Sequence, residues 1–215
     1  VILSCAAVLF DVDGTLVDST PLIERAAREW GAEYGIDPDE FLSDAHGRRT
    51  ADRVADFLPA GQVADATARL EELEAKGSEG ITALPGAVDL LANMNGLPYA
   101  FVTSMDRAQL KVRSGVAGVP LPQVVVTAED VLAGKPDPSG YLQAARHLGV
   151  DPSACIVIED APAGVAAGRA AGATVVAVLT SHPREVLTAA HHIVDDLTRV
   201  TATPSGLRVV PAEPA

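Results

Sequence analysis

The chain has 215 residues, 48% hydrophobic and 21% charged, which is enough apolar material for one large domain or for a core carrying a smaller one. A formal net charge of −13 argues against nucleic acid or an anionic membrane surface as a main partner, and no apolar run approaches the roughly 20 residues that span a bilayer. Aromatics make up only 4%, so packing is expected to rest on Val, Leu, Ile and Ala.

The first predicted element is a strand, the apolar run Cys5-Ala6-Ala7-Val8-Leu9-Phe10, and it ends in Asp11, Val12, Asp13, Gly14 and Thr15. Asp and Gly together suit a turn. Two carboxylates at the end of a strand built for burial also suit chemistry. The opening "VILSCAAVLF" has neither a charged leader nor a convincing cleavage region and does not read as a secretory signal. Cys5 and Cys155 each lie inside an apolar strand-like run, are expected to be buried free thiols, and fit a reducing, cytoplasmic setting.

From about Thr20 to Leu84 strand signals are weak and helical patterns strong. "PLIERAAREWGAEYG" begins with proline, and "VADATARLEELEAK" carries apolar residues at helical spacing. Thereafter strand-like runs return: "YAFVT", "VVVT", "CIVIE" and "TVVAV", with helix-like stretches between the later ones. Asp137-Pro138 is expected to open the helix "YLQAARHL" and Gly149 to close it, while Pro162 opens "AGVAAGRAA" and Gly172 ends it. Continuous apolar strands alternating with helices predict an α/β fold, a Rossmann-like parallel sheet covered on both faces. The helical stretch predicts a small inserted domain over residues 18–85, with residues 1–17 and 86–215 as the main domain and a Pro/Ala-rich tail that frays.

In an open parallel sheet, ligands bind beyond the carboxyl ends of the strands. The residues falling there are Asp11 and Asp13, Thr103 and Ser104, Lys135 of a Gly134-Lys135-Pro136 turn, and Glu159 with Asp160. Acids suit a hard cation such as Mg²⁺, and the amine and hydroxyl suit phosphate oxygens. "DVDGT", "VTS", the lysine of "GKPDP" and "EDAPAG" stand in the order found in the haloacid dehalogenase superfamily, which the chain resembles in the branch with a helical cap after the first motif. "EGITALPGA", "VTAEDVLAGKPDP" and "IVIEDAPAGV" are similar to bacterial sugar phosphatases and glycerol phosphate phosphatases.

The resemblance implies that Asp11 is a nucleophile forming an aspartyl phosphate, and that Asp13 protonates the leaving alcohol and then activates water. It implies a Mg²⁺ site made by Asp11, the backbone carbonyl of Asp13, and Asp160, with Glu159 as a ligand or as a partner of one. Thr103 and Lys135 would hold phosphoryl oxygens. Ser104 is divided between backbone capping and phosphate contact. The implied partner is a small phosphate ester, and the chain is expected to act as a monomer in preference to a dimer.

Asp13 weighs against a dehalogenase, which needs no second acid. Sugar phosphomutases of the same branch share the motifs but commonly place a histidine twelve residues after the nucleophile, where this chain has Ile23. A non-enzymatic sensor of metal and phosphate is the remaining alternative and would more naturally show a damaged motif. Substrate choice is assigned to the insertion, where "AHGRRTADR" gathers His46, Arg48, Arg49 and Arg53. His46 and Arg49 lead as substrate contacts, with Arg48 next. Arg107, Lys111 and Arg113 form a second basic patch, most of it expected on the solvated surface, and His147, His191 and His192 read as structural or surface residues.

Overall fold

The structure, a computed structural model, describes residues 1–43 and 47–213. Strand β1 (Ile2–Ser4) leads into β2 (Ala7–Phe10), and a short β3 (Val17–Asp18) precedes four helices: α1 (Thr20–Tyr34), α2 (Pro38–Leu42), α3 (Thr50–Phe57) and α4 (Ala60–Ala75). Strand β4 (Thr82–Ala83) pairs antiparallel with β3, so a two-stranded ribbon joins the points where the chain leaves and re-enters the sheet. The remainder alternates: α5 (Ala87–Ala92), β5 (Tyr99–Val102), α6 (Arg107–Ala117), β6 (Val124–Val126), α7 (Ser139–Leu148), β7 (Cys155–Glu159), α8 (Pro162–Ala170), β8 (Thr174–Val178) and β9 (His192–Val194). It closes with a hairpin of β10 (Val200–Thr203) and β11 (Gly206–Val209).

Among the described residues the main sheet has the order β6-β5-β2-β7-β8-β9, with every pairing parallel. The alternation of side chains along a strand explains its two covered faces. Val8 and Phe10 join Phe101, Ile156 and Ile158 on one face, whereas Ala7 and Leu9 join Ala100, Val102 and Val157 on the other. Both faces are apolar, which is why these strands read as continuous hydrophobic runs. Chain order reverses at β2, its neighbours being β5 on one side and β7 on the other. That switch point opens a crevice at the strands' carboxyl ends.

The helix ends follow the sequence signals closely. Gly149 caps α7 in the left-handed conformation, the Asp137 carboxylate accepts the Ser139 N–H, and Pro162 occupies the first turn of α8. Cys5 and Cys155 are unbridged, and burial pushes both thiols up to about 11. Helices α1 to α4 enclose a core of their own, and it is aromatic. Trp30 stacks on Tyr34 at 4.9 Å and lies 4.6 Å from Phe41, and its Nε1 donates to the Ala66 carbonyl at 2.9 Å. The scarce aromatics are shared between the two cores: Trp30, Tyr34, Phe41 and Phe57 gather in the insertion, whereas Phe10, Tyr99 and Phe101 pack edge-on among the Val, Leu, Ile and Ala of the sheet. No helix among the described residues is long and apolar enough to cross a membrane.

Candidate active site

Strand β2 delivers Asp11, 3% exposed, to the crevice at the switch point. Strand β7 delivers Glu159 and the following Asp160 on one side, and β5 delivers Thr103 and Ser104 on the other. Lys135 arrives from the turn after β6, in which the Lys135–Pro136 peptide is cis. Its ammonium donates to Asp11 Oδ1 and, at 2.6 Å, to Glu159 Oε1.

Glu159 is saturated. Oε1 also accepts from the Tyr141 hydroxyl at 2.6 Å, and Oε2 accepts the backbone N–H groups of Asp160 and Ala161 at 3.1 and 3.3 Å. Two glycines admit these carboxylates. A Cβ on Gly14, where φ is +81°, would lie 2.1 Å from Asp160 Oδ2, and one on Gly164 would lie 1.7 Å from Glu159 Oε1. Thr15 and Ser181 donate to the two oxygens of Asp160.

The electrostatics of this group are unbalanced. Burial pushes the Asp11 carboxyl well above the usual carboxylate range; Lys135 opposes this, and Glu159 and Asp160 reinforce it. Burial and repulsion from Glu159 raise Asp160 to about 7, against the pull of Ser181, Lys135 and Thr15. Burial alone would lower Lys135, but the attraction of Asp11 and Glu159 outweighs it and holds the ammonium above its usual range. Three carboxylates thus face one buried cation.

Asp11, Glu159 and Asp160 each offer an oxygen within 4.8 Å of the others'. Asp11 Oδ2 is buried and has no hydrogen-bond partner among the described residues. An all-oxygen donor set with surplus negative charge and an unpartnered carboxylate oxygen fits a hard divalent cation.

The Asp13 side chain turns away from this group. Its Oδ1 accepts from Ser19 Oγ at 2.8 Å and its Oδ2 from Arg113 Nη1 at 2.5 Å, so any contact with a cation is left to its backbone carbonyl. Asp11 and Asp13 nevertheless line one cavity, together with Thr103, Ser104, Ile23 and Arg48. The Thr103 hydroxyl caps the Met105 N–H at 3.2 Å. Ser104 donates to the Gly47 carbonyl at 2.8 Å, tying the end of β5 to the insertion.

Arg48 lies in this cavity and also pairs with Asp56 at 2.7 Å. Arg49 instead binds both Asp52 oxygens, at 2.8 and 2.9 Å, and the Leu132 carbonyl at 3.1 Å, in an adjoining cavity with Lys135 and Thr103. His46 lies outside the described residues.

Arg113 is the exception in a basic patch expected to be mostly solvated: it is 3% exposed and joins Asp13 to Glu74, which its Nη2 reaches at 2.6 Å. The signal was present, since Arg113 stands three residues after Leu110 on the buried face of α6. Arg107 and Lys111, by contrast, are exposed, as expected. Tyr141, Ser181, Ser19 and Glu74 also escaped the sequence reading, each being an ordinary residue that only tertiary packing brings here. Arg53, in α3, is buried over the Phe41 ring at 4.4 Å and borders the cavity.

A sequence profile described as haloacid dehalogenase-like hydrolase matches residues 5–172, and the chain belongs to that family of enzymes. Hexitol phosphatase A of Escherichia coli is 44% identical over 93% of this chain and 94% of its own length. Glycerol-1-phosphate phosphohydrolase 1 of Saccharomyces cerevisiae is 37% identical over 84% of this chain and 77% of its own. Among solved structures, a hydrolase from Pseudomonas syringae is similar with a TM-score of 0.81 at 26% identity, over 89% of this chain and 94% of that one.

Proposed function

We propose that this hydrolase is a Mg²⁺-dependent phosphatase acting on small sugar or polyol phosphate monoesters. The observation that carries the reading is the buried group of Asp11, Glu159 and Asp160 around Lys135, with Asp11 Oδ2 left without a partner among the described residues. Relatives named for hexitol and glycerol-1-phosphate substrates support the substrate class.

A divalent cation held by Asp11, Asp160 and the Asp13 carbonyl would offset the repulsion between carboxylate and phosphate. Glu159 acts through Lys135, Tyr141 and two backbone N–H groups, all of which already occupy its oxygens. An Asp11 oxygen attacks phosphorus while the bond from phosphorus to the ester oxygen breaks, and Asp13 gives its proton to the departing alcohol. Asp13 then takes a proton from water, whose oxygen attacks the phosphorus of the aspartyl phosphate. The bond to Asp11 breaks and inorganic phosphate leaves. Lys135 and Thr103 hold the phosphoryl oxygens throughout.

Ile23 supports hydrolysis over mutase chemistry, because a buried apolar side chain lines the cavity where those mutases place a histidine. We assign residues 18–85 as a cap that closes over the core of residues 1–17 and 86–215, excluding bulk water during phosphoryl transfer. Arg48, in the cavity with Asp11 and Asp13, is placed ahead of Arg49 as a contact for the organic part of the substrate. The test is phosphate release from hexitol, glycerol and aryl phosphates with Mg²⁺ and after chelation. Release that stops on chelation and returns with Mg²⁺ is expected; release indifferent to chelation, or none from any ester, contradicts the reading.

A further inference from the structure

Arg113 sits in the middle of α6 with its guanidinium divided between two elements, and the reaction as written does not use it. We propose that Arg113 is a positioning residue for Asp13, clamping that carboxylate to the end of α4 through Glu74, so that Asp13 is aimed at the leaving oxygen while the helical insertion is seated on the sheet. The proposal rests on the phosphatase reading above.

Both Asp13 oxygens are fixed, Oδ1 by Ser19 just before α1 and Oδ2 by Arg113. The far side is equally fixed. Glu74 Oε2 accepts from Arg113 and, at 3.0 Å, from Gln109 Nε2, and Gln109 is itself held in a capping box with Asp106 at the start of α6. An ion pair that served packing alone would need only Arg113 and Glu74, both buried between α4 and α6. The second nitrogen instead reaches Asp13 inside the cavity that Asp11 lines. Planarity matters here: a guanidinium fork spans two acceptors at a fixed separation, and an ammonium does not reproduce that span. A group that must deliver a proton to one oxygen and then draw one from water depends on a held rotamer, since small misplacements cost rate steeply.

The experiment compares wild type with Arg113→Lys, Glu74→Gln and Ser19→Ala, each checked for cooperative thermal unfolding. Substrates are substituted phenyl phosphates of nearly constant shape, with Mg²⁺ present. The readout is kcat/KM, which reports transfer to Asp11, across leaving groups from p-nitrophenolate, which departs without a proton, to unsubstituted phenolate, which needs one. Arg113→Lys is expected to lose about tenfold or more on phenyl phosphate and less than about threefold on p-nitrophenyl phosphate, within the range general acid catalysis supplies. Ser19→Ala and Glu74→Gln are expected to tilt the series in the same direction by smaller factors, and they keep the test decisive if Arg113→Lys fails to fold. A uniform loss across the series in folded variants overturns the proposal, as do wild-type rates throughout. A wild-type enzyme inactive on every member and on hexitol and glycerol phosphates as well would contradict the phosphatase reading, and this proposal with it.

Discussion

Two buried charge clusters flank the end of β2, and they differ by one carboxylate. On one side, Lys135 faces Asp11, Glu159 and Asp160, and one Asp11 oxygen has no partner among the described residues. On the other, Arg113 faces Asp13 and Glu74, with Ser19 and Gln109 completing the hydrogen bonds. Burying a charge is tolerated when it is paired and its hydrogen bonds are made, and costly otherwise. The second cluster is close to satisfied and can serve as a rigid clamp. The first is unfinished, and its surplus of negative charge is what a divalent cation would offset.

The comparison breaks most visibly at Asp11. Asp11→Asn is expected to abolish phosphate release while leaving the protein folded, because it removes the nucleophile and also relieves carboxylate crowding. Residual Mg²⁺-dependent turnover near the wild-type rate would remove Asp11 from the mechanism. Asp13→Asn, on the clamped side, is expected to lose about 10²- to 10⁴-fold, the usual worth of a general acid or base.

Lys135→Ala sharpens the contrast in stability. It leaves three buried carboxylates without their cation, which is expected to cost about 3–5 kcal/mol in urea unfolding of the metal-free protein, with a smaller deficit when Mg²⁺ is present. An unchanged midpoint would mean that the cluster was never unbalanced.

Asp160 gives the pH dependence. Its folded value of about 7 lies above the unfolded value of roughly 3.9, so between the two the folded state holds the extra proton. Its contribution to stability is therefore fully present below about pH 4 and is lost as pH rises to about 7. Asp160→Asn is expected to flatten that decline and to make the metal-free protein more stable than wild type near pH 8, while weakening Mg²⁺ affinity measured by calorimetry. In wild type, the Mg²⁺-induced rise in Tm is expected to grow from about pH 5.5 to about pH 8. A larger rise at the acidic end would reverse the assigned sign.

The smallest effects belong to the insertion. Arg48→Ala is expected to lower kcat/KM on the best sugar or polyol phosphate by about tenfold to 150-fold, the worth of one charge-assisted hydrogen bond, with little change on an aryl phosphate. Arg49→Ala is expected to cost less, since Arg49 lies in the adjoining cavity and not in the one that Asp11 and Asp13 line. Equal losses for the two variants would remove the distinction between their cavities.

The unfinished cluster was legible because its acids fall at the ends of apolar strands, where burial, charge and a glycine turn coincide in consecutive residues. Asp11, Glu159 and Asp160 announce themselves in this way, while Lys135, well past the end of β6, was marked by its Gly134-Lys135-Pro136 turn. The clamp was not legible. Arg113 and Glu74 are single charged residues within helices, and only the side-chain bonds from α6 to the end of α4 reveal that both face inward. The sheet shows the same division. The four Val- and Ile-rich or aromatic runs after β2 appear as strands β5 to β8, whereas β9, with His and Asp residues on both sides of Ile193-Val194, offered too little pattern. The β10–β11 hairpin did carry a signal: Val200 and Ala202 alternate with polar residues before Pro204-Ser205, and Leu207 and Val209 alternate after it.

In the proposed reaction Asp11 carries the phosphoryl group between substrate and water. That role is tested most directly by acid-quenching Asp13→Asn during turnover of a reactive aryl phosphate with Mg²⁺ and mapping the modified peptide by mass spectrometry. A phosphoryl adduct on Asp11 that outlasts the wild-type adduct and is lost in Asp11→Asn is expected. Continued phosphate release with no adduct, or with the adduct on another residue, would contradict that role.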